Sequence, residues 1–425
     1  MNRPSGALKL ILLVSCAHAL VHVLEQSVAS VEKVIVSDLN LELLQSGKFG
    51  FAVRLPYGLG AFLAGLLADR FGGKRILVVY LIGAAFTALS FLLRGSADLL
   101  TAQMVILGCF LSMYHPAGLA LLANRTTLAE RPRALGMHGV FGSLGIASAP
   151  FIAGVVMSIR PGDWRSYFMI LAVLAGALGA LIHFQLKTKD GSDQSKTKNT
   201  DPQSSHSSDA PSGKSPVTNQ QQTHWQPLPF ALLVAAAALS GIVYAGVLHF
   251  LARYLSDSGV IGDLERLTGL SIPEEARGPY AAAFALVCGV AGQWTAGRMG
   301  RPDRLPWLLT LIYLLNVPLL LWMWTATGGS RLLAASLWAF VHFMNQPIYN
   351  SMLPEFLPTD RRSAGFGFSN MLGFGCGAIG PLIMPWFDNT TGNYTAGFAA
   401  LAGIGFLASL LPLFLALRTR RPQPS

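Results

Sequence analysis

Long apolar runs alternate with short polar breaks along this chain, and that pattern predicts its architecture before any motif is read. Apolar stretches of about twenty residues, the length that crosses a bilayer as a helix, fall roughly at 10–29, 49–68, 76–94, 99–122, 134–158 and 166–186 in the first part of the chain. Six more fall roughly at 228–253, 279–298, 306–326, 332–353, 364–387 and 395–417. Lys187 to Gln226 breaks the pattern, being rich in Ser, Lys, Asp, Gln, Thr and Pro with almost no large apolar residue. Such a segment cannot build a core and reads as a disordered linker. The expected organisation is an all-α integral membrane protein of twelve transmembrane helices in two pseudo-symmetric six-helix bundles. The bundles span 1–186 and 228–425, joined by a linker at 187–227.

Composition agrees: 52% of the 425 residues are hydrophobic and 12% charged, too apolar for an ordinary soluble protein. The net charge of +10 would suit a nucleic-acid binder, but its distribution argues against one. Lys9, Arg70, Lys74, Arg75, Arg125, Arg131, Arg133, Arg298, Arg301, Arg304, Arg361, Arg362 and Arg418 to Arg421 all occupy alternate loops. This positive-inside pattern predicts both termini and the linker in the cytoplasm of a plasma-membrane protein, with the acidic loop Asp257 to Arg277 outside. Met1 to Ala19 resembles a cleavable leader, but the apolar run continues past Ala19 and its removal would leave an odd number of spans. The first span is therefore expected to be retained. Cys16, Cys109, Cys288 and Cys376 stand singly within apolar runs, which favours small core residues over redox or metal pairs. No phosphate-binding loop, nucleophile–base pair or metal-ligand spacing is legible, so no cofactor, metal or enzymatic activity is expected.

Titratable groups at membrane depth are costly and become functional candidates by default. In span one, His18, His22 and Glu25 fall within about 60° of helical arc and share one face. Glu25 is the only carboxylate clearly within a span of the first half, which makes it the candidate proton carrier, helped by His22. A solvated position at the membrane mouth is the other reading of Glu25, and His18 reads better as a satisfied packing residue. Arg54 in span two needs an anionic partner, either Glu25 or an anionic group of a solute. Span four places Tyr114, His115 and Pro116 together, span ten answers with His342, Asn345, Gln346 and Pro347, and span seven adds Tyr244 and His249. Arg253, beyond these, reads as a surface charge.

The charged hinge between spans two and three carries a family signature. Gly65, Asp69, Arg70, Gly72, Lys74 and Arg75 follow the glycine, Asp-Arg, glycine, basic pattern of the major facilitator superfamily, which this chain resembles. The resemblance implies a conformational gate, in which the aspartate faces a helix N-terminus of the other half, where negative charge is favoured. It also implies that spans one, four, seven and ten line a substrate cavity. The halves echo each other at a spacing near 230 residues: Gly292, Arg298, Gly300 and Arg301 answer the hinge, with Gly297 standing where Asp69 does. Gly136, Gly145, Pro150 and Gly154 follow the spacing of a span-five signature found in exporters of the superfamily, expected to form a tight helix-packing seam.

Within the superfamily, the span-one histidine with Gln26 and Ser27, the aromatic-His-Pro of span four and the run Arg133 to Gly139 resemble the fosmidomycin-resistance branch. That branch implies export of small drugs in exchange for protons. The resemblance is thin in the second half and departs at His22 and Glu25. The combined expectation is a monomeric, proton-coupled exporter of a small anionic or zwitterionic molecule, working by alternating access. Arg54, His115 and the polar groups of spans seven and ten would hold the solute. An importer of a small organic acid or other nutrient is the nearest alternative, and a non-transporting membrane sensor using the linker is the other.

Overall fold

The structure is a computed structural model that describes residues 6–93, 95–126, 131–186, 225–269, 271–299, 304–358 and 361–418. The linker expected at 187–227 therefore lies outside the described residues except for its last three positions. The first bundle comprises α1 (Gly6–Glu25), α2 (Ser27–Asp38), α3 (Leu43–Phe71), α4 (Gly73–Ser90), α5 (Ala97–Leu111), α6 (Tyr114–Arg125), α7 (Arg131–Ile159) and α8 (Trp164–Gln185). The second comprises α9 (Pro227–Ser256), α10 (Val260–Thr268), α11 (Glu274–Met299), α12 (Leu305–Thr325), α13 (Ser330–Phe343), α14 (Asn345–Met352), α15 (Arg362–Gly377), α16 (Gly380–Thr391) and α17 (Gly397–Arg418).

Among the described residues, ten helical stretches are long and apolar enough to cross a membrane. The two further spans expected at 279–298 and 332–353 correspond to α11 and to the pair α13 and α14. Glu274, Glu275, Arg277 and Arg298 lower the apolar character of α11, and α13 and α14 are separated by a break at Met344. Large apolar side chains such as Phe62, Leu63, Phe86 and Phe184 point outward, as helices facing lipid require, because the backbone is already satisfied internally.

Buried apolar residues from Leu10 to Leu186 form one core, joined by Ala276 from the second half, while two further cores belong almost wholly to the second half. The halves meet along α3 with α15 and α16, α7 with α11, and α2 with α9. Spans one, four, ten and eleven are each broken near mid-length, at Gln26, Ser112–Met113, Met344 and Ala378–Ile379. Three of these are spans expected to line the cavity, and discontinuous helices free backbone groups to serve a binding site.

Span one runs further than expected. The apolar stretch closing at 29 continues through α2 to Asp38, which carries Glu32 into the protein. Glu25 is thus not the sole buried carboxylate of the first half.

The span-five glycines divide. A Cβ on Gly145 would lie 2.2 Å from the Ala19 carbonyl oxygen, and one on Gly154 would lie 2.8 Å from the Tyr280 ring in the second half. Pro150 is buried within α7. Gly136 is exposed and a Cβ there meets nothing within 4 Å, so it is not part of the seam. Gly145→Ala is expected to destabilise the protein by about 1–3 kcal/mol through overpacking. Gly136→Ala should stay within about 0.5 kcal/mol of the natural chain, both read from thermal unfolding in detergent.

Candidate functional site

A polar cluster built from α1, α3, α6 and α7 lies at mid-depth in the first half. The i, i+3 and i, i+4 spacings of α1 stack His18, His22 and Glu25 on one face. Glu25 accepts from Arg54 Nη1 at 2.7 Å and from His22 Nδ1 at 2.8 Å. The carboxylate is 0% exposed and the Arg54 side chain 3% exposed. Of the two partners open to Arg54 in the sequence, the structure therefore pairs it with Glu25, and the solvated position for Glu25 is excluded. Arg54 also lies over the Tyr244 ring of the second half, 5.5 Å from its centre. Tyr244 accepts a 3.4 Å hydrogen bond from Gln26 at the span-one break.

Behind this pair stand four imidazoles. His18 Nδ1 donates to the His138 carbonyl at 2.7 Å, and its Nε2 faces His22 Nε2 at 3.2 Å. His138 stacks on His18 with ring centres 3.8 Å apart. His115, half-buried where α6 begins, bonds the Tyr57 hydroxyl at 2.8 Å and stacks on Phe374 of the second half. His18 is buried and satisfied as expected, yet one of its nitrogens points into the cluster. His138 was legible in the sequence only as a letter of the span-five run.

Other expected solute contacts fall elsewhere. Tyr114 is fully buried within the first bundle, donating to the Val14 carbonyl at 2.8 Å and accepting from His138 Nε2 at 3.0 Å, so it braces the imidazoles. His342 is held by Asn316 at 3.0 Å and stacked on Trp338. Asn345 turns back to the His342 carbonyl at 2.6 Å, capping the break in span ten. Gln346 is exposed and accepts from Gln293 at 2.6 Å, and Gln293 in turn accepts from Ser143 of the first half.

His249 belongs to a gate. Its Nε2 meets Ser46 Oγ at 3.1 Å, and Ser46 donates to Glu32 at 3.0 Å. Glu32 receives two further bonds from Arg253, Nε at 2.6 Å and Nη2 at 2.9 Å. This fork joins α2 to α9 across the two halves, so Arg253 is a cross-half clamp and not a surface charge. Lys33 adds bonds to Ser256 at 2.7 Å and Asp257 at 3.3 Å. These contacts close the end of the molecule opposite the termini, where a 360 Å³ cavity lined by Ser30, Lys33, Ser37, Asp38, Ser256 and Glu274 lies beside them. Sequence reasoning missed Glu32 because it stopped span one too early, although the apolar residues of 28–36 carried the signal.

At the other end the hinge is a tight turn, with Gly72 at φ +84°, a conformation that favours glycine. Asp69 is exposed and has no hydrogen-bond or ion-pair partner among the described residues, and Arg70 lies over Phe71. Lys74 is half-buried and Arg75 exposed where α4 begins after the Gly65–Phe71 segment of α3. Asp69 thus makes no cross-half contact with a described residue in this conformation. The clamp is closed at the opposite end instead.

Residues 14–381 match the Major Facilitator Superfamily. An ectoine/proline transporter of Corynebacterium glutamicum is 25% identical over 390 residues, covering 84% of this chain and 74% of its own length. A putative metabolite transport protein of Haemophilus influenzae is 24% identical over 367 residues, covering 82% of this chain and 81% of its own. A bacterial homologue of the human lysosomal transporter Spinster, solved inward-facing and unoccupied, superposes with a TM-score of 0.67 at 17% identity and 100% coverage of both chains. That structural likeness carries the fold alone. The family match spans most of the chain and agrees with the hinge signature and the helical architecture: this protein belongs to the Major Facilitator Superfamily and is a multi-pass membrane transporter of the secondary type, not an enzyme.

Proposed function

We propose that the chain is a proton-coupled exporter of a small anionic or zwitterionic molecule, held between Arg54, His115 and Tyr244 and moved by alternating access. The observation that carries this reading is the Arg54–Glu25 pair, buried in the first half with Tyr244 of the second half against the guanidinium. A buried arginine held by one carboxylate and facing the partner half can exchange that carboxylate for the carboxylate or phosphonate of a solute. His115 and Gln26 supply neutral hydrogen-bonding groups on the same side.

The Glu25–Arg54 pair lies within one half and need not break as the halves rock. The Glu32–Arg253 fork crosses the halves and must break. In this reading Glu32 carries the proton, and Glu25, expected from the sequence to carry it, competes with the solute for Arg54. A proton on Glu32 removes the cost of parting a buried carboxylate from its cation. The groups facing Glu32 are Arg253, Ser46 and, through Ser46, His249. The narrower resemblance to the fosmidomycin-resistance branch and the Gly145–Gly154 seam favour export. Import of an organic acid would use the same residues.

Purified protein screened against phosphonates, organic acids and common drugs is expected to gain thermal stability with at least one anionic compound, and Arg54→Lys should lose that gain. Counterflow in vesicles of both orientations then assigns direction. Folded protein that no compound stabilises, and that shows no counterflow, would overturn the reading.

A further inference from the structure

We propose that His18, His22 and His115 form a binding site for a divalent transition-metal ion, zinc by its ligand chemistry. No metal spacing was legible in the sequence, because the third histidine comes from span four and only the fold brings it to span one. One donor nitrogen from each of the three lies within 4.8 Å of the others.

The hydrogen-bond pattern fixes which nitrogens are free. His18 Nδ1 lies against a backbone carbonyl and His22 Nδ1 against a carboxylate, neither of which can donate, so both Nδ1 atoms carry protons. Each Nε2 is left facing the other at 3.2 Å, a pair that either shares one proton or grips a cation between them. The third imidazole beside them favours the cation. Tetrahedral coordination with Zn–N bonds of about 2.0–2.1 Å puts ligand nitrogens roughly 3.3 Å apart, close to the separation observed. Histidines at i and i+4 of a helix are a recurrent pair for gripping such an ion.

The outer shell is also in place. Ligating histidines characteristically give their second nitrogen to a carboxylate, a carbonyl or another polar group. Here these are Glu25 for His22, the His138 carbonyl for His18 and the Tyr57 hydroxyl for His115. Arg54 neutralises the Glu25 charge without touching an imidazole nitrogen. His115 begins α6 beside the span-four break, and a shift of its ring by about 1.5 Å would close the triad at the 3.3 Å spacing. Three protein ligands leave a fourth position for water or a donor atom of a solute. Imidazole donors without thiolates suit zinc, copper, nickel and cobalt over magnesium or calcium.

The test is titration of the untagged, metal-stripped full chain in detergent with Co²⁺, read by its visible absorption, followed by displacement with Zn²⁺ in a calorimeter. The expected result is about one ion per chain with the spectrum of a nitrogen-ligated tetrahedral site. His115→Ala, at a half-buried position that should fold, is expected to abolish the tetrahedral band, and His18→Ala to do the same. Glu25→Gln should weaken binding about 10–100-fold. His183→Ala, on an exposed histidine far along α8, should change nothing. A folded protein with no tetrahedral band, or binding that survives both His18→Ala and His115→Ala, overturns the assignment. Vesicles loaded with a zinc-sensitive dye separate the two ways a confirmed site can serve. Zinc appearing in the lumen identifies it as cargo, and zinc retained by the protein identifies a resident ion. Solute transport by a protein that binds no metal would sink this proposal and leave the proposed function standing.

Discussion

Arg54→Gln is expected to abolish transport and to destabilise the protein more than the double variant Glu25→Gln/Arg54→Gln does. The single change strands a carboxylate that is 0% exposed, with His22 as its remaining partner. Leaving a buried charge unpaired costs about 3–5 kcal/mol. The double change removes both charges and keeps hydrogen-bonding amides of similar size, so most of that loss should return, and the difference between variants measures the coupling. Transport should stay absent in both, because neither retains a guanidinium to hold an anion. Thermal unfolding in detergent reads the first effect and uptake into proteoliposomes the second. A single variant as stable as the natural chain would mean that the pair does not form.

Glu32→Gln is expected to open the end opposite the termini. The fork from Arg253 to Glu32 ties the halves by two charge-assisted bonds to a carboxylate that is 1% exposed. Neutralising it should raise the ratio of open to closed molecules about tenfold, equivalent to about 1.4 kcal/mol. Spin labels at Asn40→Cys and Glu274→Cys, both exposed at that end, would report it as a longer distance component once Cys16, Cys109, Cys288 and Cys376 are replaced. An unchanged distance distribution would remove the clamp from the account. His249→Ala should act in the same direction but less, since it reaches Glu32 only through Ser46.

The apolar runs made the helices legible, because a bilayer leaves a backbone little choice but to satisfy itself within a helix. The hinge made the family legible, because its charges and glycines stand in register. Glu25, Arg54 and His22 could be named from depth alone, since buried charge must find a partner, and they found one another. Tyr114, His342 and His249 are each satisfied by neighbouring groups of the protein. An aromatic or imidazole group at mid-depth is satisfied as readily inside a bundle as in a cavity, and helical phase did not separate the two. Gly136 kept the spacing of a motif without the contact that gives the motif its purpose. Glu32 was missed because span one was ended too early, and Arg253 read as a surface charge because its partner, 221 residues away in sequence, meets it only when the halves are joined.

The most direct test of proton-coupled transport is proton movement in proteoliposomes carrying an internal pH dye, challenged with phosphonates, organic acids and common drugs. A solute-dependent pH change that is present in the natural chain, lost in Arg54→Lys and uncoupled from solute in Glu32→Gln is the predicted result. A solute flux with no accompanying pH change, or a pH change that survives both substitutions, would contradict it.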